Sequence, residues 1–129
     1  MYKKMIILVF ILLVLSATPI LALEEVTIDA QASSVFMSYG SSIAKNGNYI
    51  NCTAWSDLVD FYSQSISMSL QRYENGTWKT LKTWSASDYH MTLDVMGAYP
   101  LSPGLYRVKS THKAGGETRT SYTGNYIID

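Results

Sequence analysis

The sequence is poor in the residues that build catalytic or metal sites. It has a single cysteine, Cys52, and only two histidines. One cysteine excludes an intramolecular disulfide, and with two scattered histidines it does not make a zinc ligand set. The chain also lacks a nucleophile elbow, a zinc-protease motif, a phosphate-binding loop and a dinucleotide fingerprint. We therefore expect a protein that is not an enzyme and that uses no cofactor or metal ion.

An excess of charge of one sign is also missing. The chain has 10 basic and 10 acidic residues, and without Lys3 and Lys4 the balance is 8 to 10. No basic stripe stands out in the sequence, so a nucleic-acid partner is not expected. Two carboxylates in one bend, Asp57 and Asp60, are of the kind that Ca²⁺ binds, but such pairs more often form turns.

The N-terminal region has the features of an export signal. Lys3 and Lys4 precede the uninterrupted apolar run 5–15, which is broken by Ser16-Ala-Thr-Pro19. We expect residues 1–22 to form a signal helix that is cleaved after Ala22, with Ala32 as the alternative cleavage position. An uncleaved membrane anchor is the other interpretation. The mature chain is then expected to be secreted, with no stable membrane anchor.

Apolar residues at every second position predict β-strands, and no segment has the periodicity of an amphipathic helix. We expect residues 34–129 to form one domain, after a leader or short edge strand at 23–33. Its length exceeds the roughly 70 to 80 residues below which a core needs added cross-links. The predicted strands are Val35–Tyr39, Tyr49–Trp55, Phe61–Tyr73, Trp78–Trp84, His90–Met96, Leu105–Lys113 and Arg119–Ile128.

The segment Ile66–Trp84 gives the strongest local signal. Asn75 and Gly76 are the preferred pair for a type I′ hairpin turn, which requires positive φ at both central residues. A two-residue turn sets Arg72 opposite Lys79, an unfavourable pair of like charges. A three-residue bulged loop is therefore an alternative.

The same hairpin predicts which side chains face the core. A two-residue turn places Leu70 opposite Leu81 on the inner face and Tyr73 opposite Trp78 on the outer face. Continued alternation along the second strand gives Trp84 the outward parity of Trp78. Exposed flat aromatics are common in binding surfaces, although Tyr73 and Trp78 can also simply cover each other.

A turn motif follows the hairpin. Leu101-Ser-Pro103-Gly104-Leu-Tyr106 resembles the tyrosine corner of fibronectin type III and immunoglobulin-like domains, in which the tyrosine hydroxyl bonds to the upstream backbone. The resemblance implies an all-β fold, an immunoglobulin-like Greek-key β-sandwich of about seven antiparallel strands. The alternative is an ordinary Pro-Gly turn with an exposed tyrosine.

The mature chain also resembles a family of short exported proteins of Gram-positive, clostridia-type bacteria. The resemblance implies export and the same fold, and it implies no particular activity. It is carried by Ile50-x-Cys52-x-Ala54, Leu70-Gln-Arg72, Gly76-Thr-Trp78, Trp84, Gly104-Leu-Tyr-Arg-Val108, His112 and Ala114.

These observations favour a secreted, non-catalytic binding module for an extracellular protein or glycan. Its expected contact residues are Tyr73, Trp78 and Trp84, while Tyr106, Asn75, Gly76, Pro103 and Gly104 are expected to be structural. A secreted antagonistic factor, similar to a bacteriocin or toxin, is the alternative. A hydrolase is more distant, because a catalytic triad is defined by geometry that spacing alone does not reveal.

Overall fold

A computed structural model of the protein describes residues 33–129 as one curled antiparallel sheet of six strands. No helix in this part of the chain is long and apolar enough to cross a membrane. The signal helix, both cleavage positions and nearly all of the leader lie outside the described residues. The strands are β1 Phe36–Asn46, β2 Tyr49–Glu74, β3 Thr77–Pro100, β4 Gly104–Ala114, β5 Glu117–Tyr122 and β6 Tyr126–Ile128.

The long strand β2 organises the sheet. β3 pairs along one edge of β2, while β1 pairs with residues 49–58 and β4 with residues 64–72 of the other edge. β5 and β6 continue the sheet beyond β4. The sheet therefore has a first half around the start of β2 and a second half around its end.

A bend joins the two halves. The pairing of β2 with β3 shifts between Asp57 and Tyr62, near the bend that the sequence predicts. The predicted strands on either side of this bend are parts of one strand, β2, because hydrogen bonding to β3 resumes after the irregularity. For the same reason β3 contains two of the predicted strands, Trp78–Trp84 and His90–Met96.

Apolar side chains from both halves meet on the inner side of the curled sheet. The first half contributes Ile50, Cys52 and Ala54, and the second contributes Met68 and Leu70 among others. Full burial of a large apolar side chain contributes about 1.5 to 3 kcal/mol, so this cluster is the main source of stability. Burial also raises the pKa of the Cys52 thiol to about 12, which makes it a packing group rather than a nucleophile.

The hairpin turn has the predicted form. Asn75 and Gly76 have φ angles of 51° and 82°, and Tyr73 lies opposite Trp78. Arg72 does lie opposite Lys79. The carboxylate of Glu74 forms ion pairs with both cations, so the turn keeps two residues despite the like charges.

A β-bulge at Leu81 changes the register beyond the turn. Gln71 pairs with Thr80 but Leu70 pairs with Lys82, which leaves Leu81 as an extra residue. The prediction that Leu70 lies opposite Leu81 is therefore wrong, because one inserted residue reverses the parity of everything after it.

The bulge also changes the place of Trp84. Trp84 lies opposite Met68 and packs against the core instead of sharing the outward face of Trp78, so its predicted outward orientation is wrong. Its indole covers Gly97, where an added Cβ would lie 2.3 Å from the ring. A glycine at this position is what allows the indole to lie flat on β3.

The tyrosine that follows the Pro103–Gly104 turn is fully buried. The Tyr106 hydroxyl donates a hydrogen bond of 2.8 Å to the backbone carbonyl of Ser102, and its oxygen lies 2.8 Å from the Ser102 hydroxyl. This contact back to the upstream backbone ties the start of β4 to the preceding turn.

Replacement of Tyr106 by phenylalanine removes that hydrogen bond and leaves the partly buried Ser102 carbonyl without its donor. We expect the free energy of unfolding to fall by about 1 to 3 kcal/mol, measured by urea denaturation. Tyr89→Phe is the matched control, because Tyr89 is 65% exposed. Equal stability of the two variants would contradict a bridging role for the Tyr106 hydroxyl.

Gly97→Ala forces a methyl group into the Trp84 indole, so we expect a loss of about 1 to 3 kcal/mol through overpacking. In a Trp84→Ala background the same change should cost much less, since the obstructing ring is gone. A double-mutant cycle by thermal unfolding measures this coupling. Additive effects would show that the glycine is not required by the indole.

Candidate functional site

The outer side of the second half of the sheet carries a cluster of aromatic and basic side chains. In the register, Gln71 lies beside Arg107, and Ser69 lies beside Lys109, which in turn lies beside Tyr122. Their side chains lie on the side of the sheet opposite to the buried Leu70 and Val108, which we call outward parity. We call this surface the aromatic–basic face; it comprises Tyr73, Trp78, Arg107, Lys109, Lys113 and Tyr122.

Arg107 is the centre of this face. Its guanidinium carbon lies 4.3 Å from the ring centre of Trp78 and 4.7 Å from that of Tyr122. Its Nε donates a 2.8 Å hydrogen bond to the side-chain oxygen of Gln71. Tyr73 meets the Trp78 ring edge-on at 5.3 Å between ring centres. Cation–π contacts and the hydrogen bond thus order the cluster before any ligand arrives.

The charge on this face has one sign. Arg107, Lys109 and Lys113 lie on the outer side of β4, with Thr111 between the two lysines, and the register of residues 33–129 places no carboxylate among them. Glu74 and Glu117, the acidic residues of the adjoining turns, have inward parity. Each is engaged there, Glu74 with Arg72 and Lys79 and Glu117 with Ser33, Ser34 and Arg119. Hydrogen bonding to these partners lowers the pKa of both carboxyl groups.

Rows of hydroxyl groups extend the face beside the cations. They come from rows of serine and threonine on four neighbouring strands, at the same parity as Lys109. The register aligns Ser65, Ser67, Ser69, Thr83, Ser85, Ser87, Thr111, Thr118 and Thr120 in this way.

The outer side of the first half has the opposite charge. Asp57 and Asp94 lie on the same side as Trp55, with which Asp94 pairs. By register, no lysine or arginine of residues 33–129 shares that side. The two outer sides of the curled sheet therefore carry charges of opposite sign.

The structure brings together two of the three predicted contact residues. Tyr73, which is 46% exposed, and the partly buried Trp78 touch on the aromatic–basic face, while Trp84 packs toward the core. The sequence interpretation missed Arg107, Lys109 and Tyr122. A signal was present, because cations at alternate positions of a predicted strand share one face.

A second polar arrangement lies inside the sheet. His112 shares a 2.8 Å hydrogen bond with Ser56 through Nδ1 and another with Ser121 through Nε2. Ser121 and Ser41 are 2.7 Å apart, and Ser41 donates to Ser110 at 2.7 Å. We call these five residues the serine–histidine chain; it connects β1, β2, β4 and β5.

The serine–histidine chain has the hydrogen bonds of a catalytic serine and its histidine base, but a substrate has no access to the serine. Ser121 is fully buried, so its oxygen is out of reach of a substrate in this conformation. The third group is the hydroxyl of Ser56, which cannot stabilise an imidazolium as a carboxylate does. Ser41 and Ser121 line a groove of about 410 Å³ between β1 and β5, but Ser121 has no exposed surface there. The serine–histidine chain provides hydrogen-bond partners for the buried side chains of Ser56, Ser110, His112 and Ser121, and we assign it a structural role.

Residues 33–129 contain no cluster of three or more histidine, cysteine, aspartate or glutamate side chains placed to hold a metal ion. The Asp60 carboxylate instead accepts a hydrogen bond of 2.7 Å from the backbone N–H of Phe61. This is a local contact within the bend between the two halves.

Burial lowers the pKa of His112 from 6.5 to about 4, so the folded protein holds this ring neutral. The unfolded chain binds a proton near pH 6.5, and stability is therefore lost as the pH falls from 6.5 toward 4. We expect the free energy of unfolding to drop by about 2 kcal/mol between pH 7 and 5, measured by urea denaturation. His90→Gln should keep this drop and His112→Gln should abolish it. A drop that survives in His112→Gln would assign the effect to another group.

No family model matches the chain, and no curated protein resembles it significantly. The inference of function therefore depends on the geometry of the aromatic–basic face and of the serine–histidine chain.

Proposed function

We propose that the protein is an exported, non-catalytic binding module that attaches to an extracellular carbohydrate polymer through its aromatic–basic face. We further propose that its curled sheet is an immunoglobulin-like sandwich. The opposed inner faces of the two halves and the hydrogen bond from Tyr106 to Ser102 support that assignment. Export is supported by the apolar run that follows Lys3 and Lys4.

The ordered stack of Trp78, Arg107 and Tyr122 is the observation that carries the proposal. These side chains lie on a solvent-facing side of the sheet, and they already hold one another at 4.3 and 4.7 Å. Preordered side chains lose little conformational entropy when a ligand binds. Aromatic and arginine side chains with this property are the usual anchors of binding surfaces.

The surroundings of the stack suit a carbohydrate. Apolar ring faces such as that of Tyr73 pack against the C–H faces of sugars, while hydroxyl rows exchange hydrogen bonds with sugar hydroxyls. The rows at Ser67, Ser69 and Thr111 continue the face away from the aromatics. A surface of this shape accepts an extended chain rather than a small molecule, because it is a sheet face and not a cavity.

Binding of the purified protein to a glycan array and to insoluble polysaccharides tests the proposal. Trp78→Ala removes one side of the stack and should weaken binding at least about tenfold, as expected for the loss of an interface anchor. Trp55→Ala is the matched control, because Trp55 lies on the outer side of the other half. It should leave affinity unchanged.

Thermal unfolding of both variants shows whether each remains folded at the binding temperature. Absence of binding to every glycan would contradict the proposal. Affinity that survives Trp78→Ala but is lost in Trp55→Ala would move the site to the other side of the sheet.

A further inference from the structure

We infer that two copies of the protein join through the free edges of their β3 strands, antiparallel over Thr92–Pro100 and with the two-fold axis at Met96. This surface is separate from the aromatic–basic face, so the dimer does not depend on the ligand proposed there. The unpaired edge of β3, the residues that this edge lacks and the symmetry of its central segment support the dimer.

One edge of β3 is free along the whole strand. Among the strands of residues 33–129, β3 pairs with β2 alone, so its other edge has a row of backbone N–H and C=O groups without a strand partner. Such a row is a template for a strand of another chain. Over Thr92–Pro100 the pairing with Tyr49–Asp57 of β2 is uninterrupted, so this part of β3 is regular. A regular edge of this length spans about 30 Å.

The regular part of this edge lacks the usual protection. Edge strands are protected from pairing by cations, prolines or bulges. β3 has such features near its start, where Lys79 and Lys82 flank the bulge at Leu81. Residues 83–99 contain no lysine, arginine or proline, and the side chain of Met96 among them is 76% exposed. This part of β3 therefore has the composition of a paired strand.

The outer edges of β1 and β5 differ from that of β3, because they face each other. The hydroxyl groups of Ser41 and Ser121 lie 2.7 Å apart across the gap. Farther along β1, the backbone N–H of Lys45 donates a hydrogen bond of 3.1 Å to the hydroxyl of Tyr126 in β6. These contacts leave the edge of β3 as the better site for a second chain.

The charges of the regular segment favour a second copy as the partner. In a symmetric antiparallel pair one residue lies opposite its own copy, and Met96 is the midpoint of Thr92–Pro100. This register sets Asp94, the only charged residue of the segment, opposite Ala98. The two Asp94 carboxylates are then four residues apart along the pair, about 13 Å, which exceeds the Debye length at physiological salt. The edge therefore matches its own copy without placing like charges opposite each other.

Such a dimer has two aromatic–basic faces. The joined edges belong to the first half of each sheet, whereas the aromatic–basic face lies on the second half. Two linked sites that engage one polymer bind it with an avidity above the affinity of either site. Dimerisation therefore strengthens attachment to a repetitive ligand of the kind proposed above.

Sedimentation velocity of the purified protein over a concentration series tests the association, and we expect a monomer–dimer equilibrium. Met96→Lys places two ammonium groups opposite each other at the axis and should raise the dimer dissociation constant at least about tenfold. Met37→Lys is the matched control, because Met37 is 70% exposed on β1, and it should leave the constant unchanged. Far-ultraviolet circular dichroism verifies that both variants are folded.

Met96→Cys tests the register and does not depend on the lysine variant. Opposite residues of an antiparallel pair have Cα atoms about 4.5 to 5.5 Å apart, a separation that a disulfide spans. With oxidised glutathione as the electron acceptor, the introduced thiols of two copies should form a disulfide, seen by non-reducing gel electrophoresis. Cys52 is buried and should stay reduced. Met37→Cys, the exposed control, should form far less of the linked species.

A protein that stays monomeric at every concentration would overturn the dimer. Equal dissociation constants for Met96→Lys and Met37→Lys would place any interface elsewhere and overturn it as well. Equal cross-linking of the two cysteine variants would reject the axis at Met96. None of these outcomes bears on glycan binding, which Trp78→Ala tests separately.

Discussion

The pairing of β2 with β3 along almost their whole lengths is the constraint on which the rest of the structure depends. The register shifts between Asp57 and Tyr62, and one ladder of hydrogen bonds runs through both halves of the curled sheet. The other edge of β2 is then shared by β1 and β4, which brings their inward side chains to the same core. The apolar cluster and the serine–histidine chain both follow from this arrangement, as does the separation of the two outer sides.

Local chemistry explains which features could be predicted from sequence. The Asn75–Gly76 turn requires only the backbone freedom of two adjacent residues, and the Tyr106 contact spans four residues. Both were therefore predictable. The place of Trp84 was not, because a bulge at Leu81 is decided by how β3 packs over β2 and not by the residues of the hairpin alone.

The candidate site shows the same division. The prediction that Leu105–Lys113 is a strand is enough to place the cations of β4 on one face. The contact of Tyr122 with Arg107 depends instead on the pairing of β4 with β5, which the sequence does not reveal. The serine–histidine chain draws on four strands separated by up to 80 residues, so no spacing rule could reveal it. Its serines look like ordinary strand residues until the curl of the sheet brings them together.

The opposite charges of the two outer sides give the domain an electric dipole across its thickness. The field of a charged surface or polymer therefore orients the molecule before contact. One outer side then binds, and the other faces the solvent. Attachment through the basic side would display Trp55, Asp57 and Asp94 outward at every occupied position. A layer of molecules bound in this way would present carboxylates to the solvent, so an anionic surface would remain anionic after it is covered.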